Sequence, residues 1–112
     1  MPDFTIKKGD VGKVISGQFQ NADGSVPNLT GSITRKLTMV NMTTGVKKID
    51  GATFNFTNEA QSRWLYQFAT QDVDTLGRYK LEFEVTRIGY TDTFPTDEKT
   101  PYLVVLVQED LD

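Results

Sequence analysis

Three carboxylate pairs are the residues whose types and spacing could do chemistry: Asp72 with Asp74, Asp97 with Glu98, and Glu109 with Asp110. Two carboxylates cleave a glycosidic bond when burial keeps one protonated and a sugar-sized gap separates them. Each pair here lies in or beside a polar loop with no apolar stretch to bury it, so the pattern reads as solvated loop acids. Asp72, Asp74 and a backbone carbonyl could hold calcium in a loop. The other acidic loop, Asn21-Ala22-Asp23-Gly24-Ser25, lacks the further ligands and distal glutamate of an EF-hand, and the expectation is no bound metal. Ser16, Ser25, Ser32 and Ser62 have no histidine to activate them and no Gly-x-Ser-x-Gly elbow. Gly9-Asp10-Val11-Gly12-Lys13 brings glycine and lysine together without the P-loop spacing or a following helix. It reads instead as a bend that lets the first strand change sheets.

The absent residue types narrow the field further. The 112 residues include no cysteine and no histidine. A disulfide scaffold, a thiolate nucleophile and a cysteine-held metal or cluster are thereby excluded, and so is an imidazole titrating near neutrality. The expectation is a protein that is not an enzyme and carries no cofactor. Its 12 basic and 15 acidic residues leave a net charge of -3. The pairs Lys7-Lys8, Arg35-Lys36 and Lys47-Lys48 are scattered rather than gathered into a stripe. That balance argues against nucleic acid or an anionic membrane as partner. The longest apolar run, residues 102–107, falls far below the ~20 residues of a membrane helix. The first residues lack the apolar core of a secretory signal, so the sequons at Asn28, Asn41 and Asn55 read as coincidence in a threonine-rich chain.

The elements that must position these residues are strands, because threonine, valine and aromatics dominate while alanine and leucine are sparse. Phe4 and Ile6 alternate with polar residues, and Ile15, Gly17 and Phe19 share a face before the Asp23-Gly24 turn. Ile33, Leu37 and Met39 mark a third strand whose apolar face Arg35 interrupts. A short strand then precedes a turn at Asp50-Gly51, and Ala52, Phe54 and Phe56 share the next face. Trp64, Tyr66 and Phe68 form the cleanest period-2 stripe. Tyr79, Leu81, Phe83 and Val85 are opposed by Lys80, Glu82, Glu84 and Thr86, one face for the core and one for water. A turn at Ile88-Gly89 leads to residues 90–94, a polar loop covers 95–101, and residues 102–107 have the unbroken apolarity of a strand buried on both faces or covered by a partner. One turn of helix is expected, over residues 58–62 or 71–76.

Seven to nine short strands at this spacing predict a single domain over residues 1–112, all-β, an antiparallel immunoglobulin-like β-sandwich, with a small barrel as the neighbouring possibility. Asp74-Thr75-Leu76-Gly77-Arg78-Tyr79 resembles the corner of such domains, in which a tyrosine hydroxyl bonds back to loop backbone upstream; the alternative is that Gly77 simply ends a loop. Leu81 stands where the usual cysteine would follow, which leaves Trp64 as the largest core anchor.

The order of Phe4-Thr5-Ile6-Lys7-Lys8-Gly9-Asp10, Asn21-Ala22-Asp23-Gly24, Leu29-Thr30-Gly31, residues 72–79, Glu82-Phe83-Glu84-Val85-Thr86 and Thr93-Phe94-Pro95 resembles a family of small tailed-phage proteins. From Phe4 to about Val107 the chain is similar to the N-terminal immunoglobulin-like domain of phage baseplate upper proteins, also found as a freestanding virion protein. The resemblance implies a noncatalytic structural part with no catalytic residues to carry over. In the long baseplate proteins a linker, a stem and a receptor-binding or adaptor region follow this domain, whereas this chain stops at Asp112. The expected role is a tail or baseplate subunit docking in multiple copies, or as a homo-oligomer, on other virion proteins. A capsid decoration protein is the alternative, and a carbohydrate-binding module using exposed aromatics is a second. The expected location is the virion, assembled in the reducing host cytoplasm. Phe4 and Ile6 on the first strand are candidate partner-binding residues, because a sheet edge offers unpaired backbone groups to a neighbour, and Tyr90 and Tyr102 are candidates as exposed aromatics. The final strand is a candidate on the same ground.

Overall fold

In the computed structural model, residues 3–10, 12–21, 23–94 and 103–109 are described. They form β1 (Phe4–Lys7), β2 (Val14–Gln18), β3 (Thr34–Asn41), β4 (Lys47–Thr53), β5 (Asn55–Asn58), β6 (Arg63–Gln67), β7 (Gly77–Arg87), β8 (Tyr90–Phe94) and β9 (Leu103–Gln108). The single expected turn of helix is replaced by two 3-10 turns, one at each of the alternative places, Glu59–Gln61 and Thr70–Val73. No described helix is long and apolar enough to cross a membrane.

The strands divide into two sheets packed as a sandwich. The larger has the order β1-β9-β7-β3-β4, with β8 also paired to β7, and the smaller has the order β2-β6-β5. In the lettering of immunoglobulin-like sandwiches, β2, β5 and β6 take the places of B, D and E, while β3, β4 and β7 take those of C, C′ and F. The place of G is shared. β9 pairs with the first half of β7, from Gly77↔Val107 to Leu81↔Leu103, and β8 pairs with its second half, from Phe83↔Phe94 to Arg87↔Tyr90. The residues between β8 and β9 lie outside the described set. All described pairings are antiparallel except one. β1 runs parallel to β9 in the larger sheet, and the next strand, β2, lies in the smaller.

Period-2 alternation places one row of each strand inward. Ile6, Ile15, Leu37, Met39, Trp64, Tyr79, Leu81, Phe83, Val85, Val105 and Val107 are buried. Three expectations are corrected. Asp50-Gly51 does not end a strand. β4 runs through it with a shift of register against β3 between Leu37 and Met39, and Gly51 takes a φ of +72° that suits glycine. Ile33 precedes β3 and stays outside the core. β9 is not an edge, because β1 and β7 occupy its two sides.

Trp64 joins the two sheets. Its ring lies over Gly17, its register partner on β2, and reaches Phe83 on β7 with centroids 4.5 Å apart. Phe19 adds a stacked contact to Trp64 at 5.7 Å and another to Phe94 at 4.4 Å. Gly17 makes the close approach possible, since a Cβ built there would stand 3.0 Å from the indole. Tyr79 makes the corner expected from its motif: its buried hydroxyl donates to the Thr75 carbonyl at 2.8 Å. Both details predict measurable losses. Gly17→Ala forces Cβ against an indole that Phe19 and Phe83 prevent from moving, and it should lower stability by about 1–3 kcal/mol. Tyr79→Phe leaves the Thr75 carbonyl without its donor and should cost about 1–2 kcal/mol. Urea unfolding checks both, with a lower midpoint and an unchanged slope expected; an unmoved midpoint rejects the assignment.

Candidate functional site

The carboxylates singled out for chemistry are occupied by local structure. Asp72 is buried and accepts from the Ala69 backbone N–H at 2.8 Å, holding the first turn of the 3-10 segment, with the Tyr66 hydroxyl farther off at 3.4 Å. Burial, and then the negative Asp72 beside it, push the Tyr66 phenol up to about 12. Asp74 faces the other way. It takes hydrogen bonds from the Lys48 ammonium and from the Thr75 hydroxyl at 2.9 Å, and these hold its carboxyl below the ordinary value. The two therefore do not converge on a common ligand. Asp23 accepts from the Ser25 hydroxyl at 2.6 Å and the Ser25 backbone N–H at 2.9 Å, so its loop is closed on itself and its pKa is lowered by the same bonds. Among the described residues no group of three or more acidic side chains is placed to hold a metal ion. Asp97, Glu98 and Asp110 lie outside the described residues, and Glu109 is exposed.

Two open grooves cross the outer faces of the sheets. One of about 310 Å³ is bordered by Thr38, Val40, Lys47, Lys80 and Glu82 of the larger sheet. One of about 400 Å³ lies over Ser16, Thr57 and Leu65 of the smaller. The aromatics that underlie them, Phe83 and Trp64, are buried core residues, so neither groove offers an aromatic platform to a sugar.

The candidate partner residues fall in different places. Ile6 is 2% exposed and belongs to the core, so its side chain cannot meet a partner. Phe4 is half-buried, packed edge-on to Trp64 at 6.2 Å. β1 does form an edge of the larger sheet, but Asp10 accepts from the Lys7 backbone N–H at 3.3 Å and blunts it. β9 loses its candidacy because both its sides are paired. Tyr102 lies outside the described residues. Tyr90 is 64% exposed at the tip of the β7–β8 hairpin, with the Arg87 guanidinium over its ring at 5.1 Å.

Tyr90 has company that single-residue reasoning missed. Ile88, in the hairpin turn, is 84% exposed, and Ile33 is 61% exposed. The Ile33 backbone N–H donates to the Thr86 carbonyl at 2.7 Å, which brings it beside the same hairpin. Arg87 donates to Asp92 at 2.8 Å and to the Asn28 carbonyl at 3.2 Å, tying the hairpin to the loop before β3. One end of the sandwich thus presents three large apolar side chains braced by an arginine. The sequence signal was present, since Ile88-Gly89 is an apolar residue in a tight turn and Arg35 breaks an inward row close by. The local pattern could not show that these lie together.

Compared with protein-family models and with curated proteins, the chain matches none.

The Asp74–Lys48 contact gives a pH test. A carboxyl held below its ordinary value of 3.8 contributes stability that is present above that value and lost as pH falls through the lower folded-state value. Urea midpoints of the wild type and Asp74→Asn should therefore be separated at about pH 6 and converge by about pH 2. A gap that persists unchanged into acid rejects the coupling.

Proposed function

We propose that the protein is a noncatalytic structural component of a tailed-phage virion, a tail or baseplate subunit that docks in multiple copies on a symmetric particle. The observation that carries the reading is the division of labour among side chains. The candidate catalytic groups Asp72 and Asp74 are used by the fold, while Ile33, Ile88 and Tyr90 gather exposed at one end. Exposed apolar and aromatic residues beside arginine are the composition of a protein contact. The immunoglobulin-like strand order and the linear order of turn motifs that resembles the baseplate family support the same reading. A rigid sandwich suits repeated docking, because its contact end keeps one shape in every copy. Other virion proteins are the proposed partners, met during assembly in the host cytoplasm.

Mass spectrometry of purified particles, with heads separated from tails, tests the proposal. The chain is expected in the tail fraction at several copies per particle. Recovery with heads alone would replace the tail assignment by head decoration, and absence from both fractions overturns the virion reading.

A further inference from the structure

Arg35 departs furthest from what its own fold requires. It continues the inward row of Leu37 and Met39 on β3, and its register partner on β7 is the fully buried Val85. On its other side, the Phe54 backbone N–H donates to the Arg35 carbonyl at 3.3 Å, and Phe54 is fully buried too. An apolar side chain is what such a row demands. Arg35 instead places a half-buried guanidinium there. Its Nε is enclosed without an acceptor, and no nitrogen of the guanidinium has a hydrogen-bond, ion-pair or ring partner among the described residues. An enclosed donor without an acceptor costs stability. A position that breaks a local rule without a structural return is a candidate for a functional or a strained site.

Arg87 shares an enclosed Nε without an acceptor and differs at its terminal nitrogens. It lies two residues beyond Val85 on the same face, and its terminal nitrogens are satisfied by Asp92 and the Asn28 carbonyl. Asp92 is the register partner of Val85 on the side opposite Arg35, and it is engaged by Arg87. Arg35 is left as the cation with an open fork, at the end where Ile33, Ile88 and Tyr90 are exposed.

We propose that this end of the sandwich binds an acidic segment of a partner protein, one carboxylate of which pairs with the Arg35 guanidinium while apolar side chains of the segment cover Ile33, Ile88 and Tyr90. A carboxylate supplies two acceptors in the geometry of the fork. The apolar surround selects a protein segment over a bare anion, because inorganic phosphate would leave both isoleucines in water. The inference rests on the reading of the chain as a docking component and names the chemistry of its partner.

NMR titration of the full chain with a blocked Leu-Glu-Glu-Leu peptide tests it, with the Leu-Gln-Gln-Leu peptide and inorganic phosphate as comparators. Shifts are expected at the Arg35 side-chain N–H and at the amides of Ile33, Ile88 and Tyr90. They should be lost with the glutamine peptide and in Arg35→Leu and Arg35→Gln. Arg35→Leu should also raise the thermal midpoint, since it removes the unpaired cation from an inward row. No shift with the acidic peptide, equal shifts with either comparator, or a lowered midpoint in Arg35→Leu overturns the site. Those results would leave the chain's presence in particles untouched, whereas its absence from particles removes the docking reading while a specific peptide response would still stand.

Discussion

The contact on which the rest of this structure depends is the indole of Trp64 lying over Gly17 and against Phe83. It joins β6 of the smaller sheet to β7 of the larger, spanning the gap that antibody domains bridge with a disulfide between their B and F strands. A cross-link of that kind works chiefly on the unfolded chain. Here the sheets are held by native-state packing alone, so the joint depends on shape. Phe19 stacks on Trp64 on one side and Phe94 on the other, and a glycine on β2 keeps the approach open. Such a core tolerates little change in volume, because its partners are rings that cannot rotate out of the way.

That joint and the Tyr79 corner together fix β7, the longest strand and the one with most neighbours. It pairs with β3 on one side and with β9 and then β8 on the other. The corner anchors its first residues to Thr75, and the aromatic cluster holds its middle at Phe83. Its last residues then run on into the hairpin that presents Ile88 and Tyr90. The exposed end is therefore carried on a strand paired along both sides, with Arg87 tying it to the loop before β3. For the docking role proposed above, such support would keep the conformational entropy lost on binding small.

Arg35 gains its meaning from the same framework. On an isolated strand, an arginine among alternating apolar residues is only an interruption. Between Phe54 and Val85, with Asp92 already engaged by Arg87, it is a half-buried charge that the chain's described residues leave unanswered. The opposite fate befell Asp72 and Asp74, which looked like a pair by spacing. The 3-10 turn over Thr70–Val73 sends Asp72 back to the Ala69 backbone and leaves Asp74 to Lys48 on β4.

Whatever depends on the alternation of neighbouring residues was legible in the order of amino acids. Tyr79, Leu81, Phe83 and Val85 announced an inward row, Ile88-Gly89 a hairpin, and Gly77 with Tyr79 a corner, because side-chain direction on a strand repeats every two residues and turns need particular residue types. The same order left open which strands lie side by side. The run at residues 102–107 was equally compatible with a covered edge and an interior strand, and only its pairing to both β1 and β7 placed β9 inside the sheet. Asp50-Gly51 suited a turn and a bulge alike until β3 drew β4 past it. The isolation of Arg35 and the placing of Ile33 beside the hairpin of Ile88 and Tyr90 belong to the tertiary structure for the same reason. They arise from contacts between strands distant in the chain, and local propensity carries no information about such contacts.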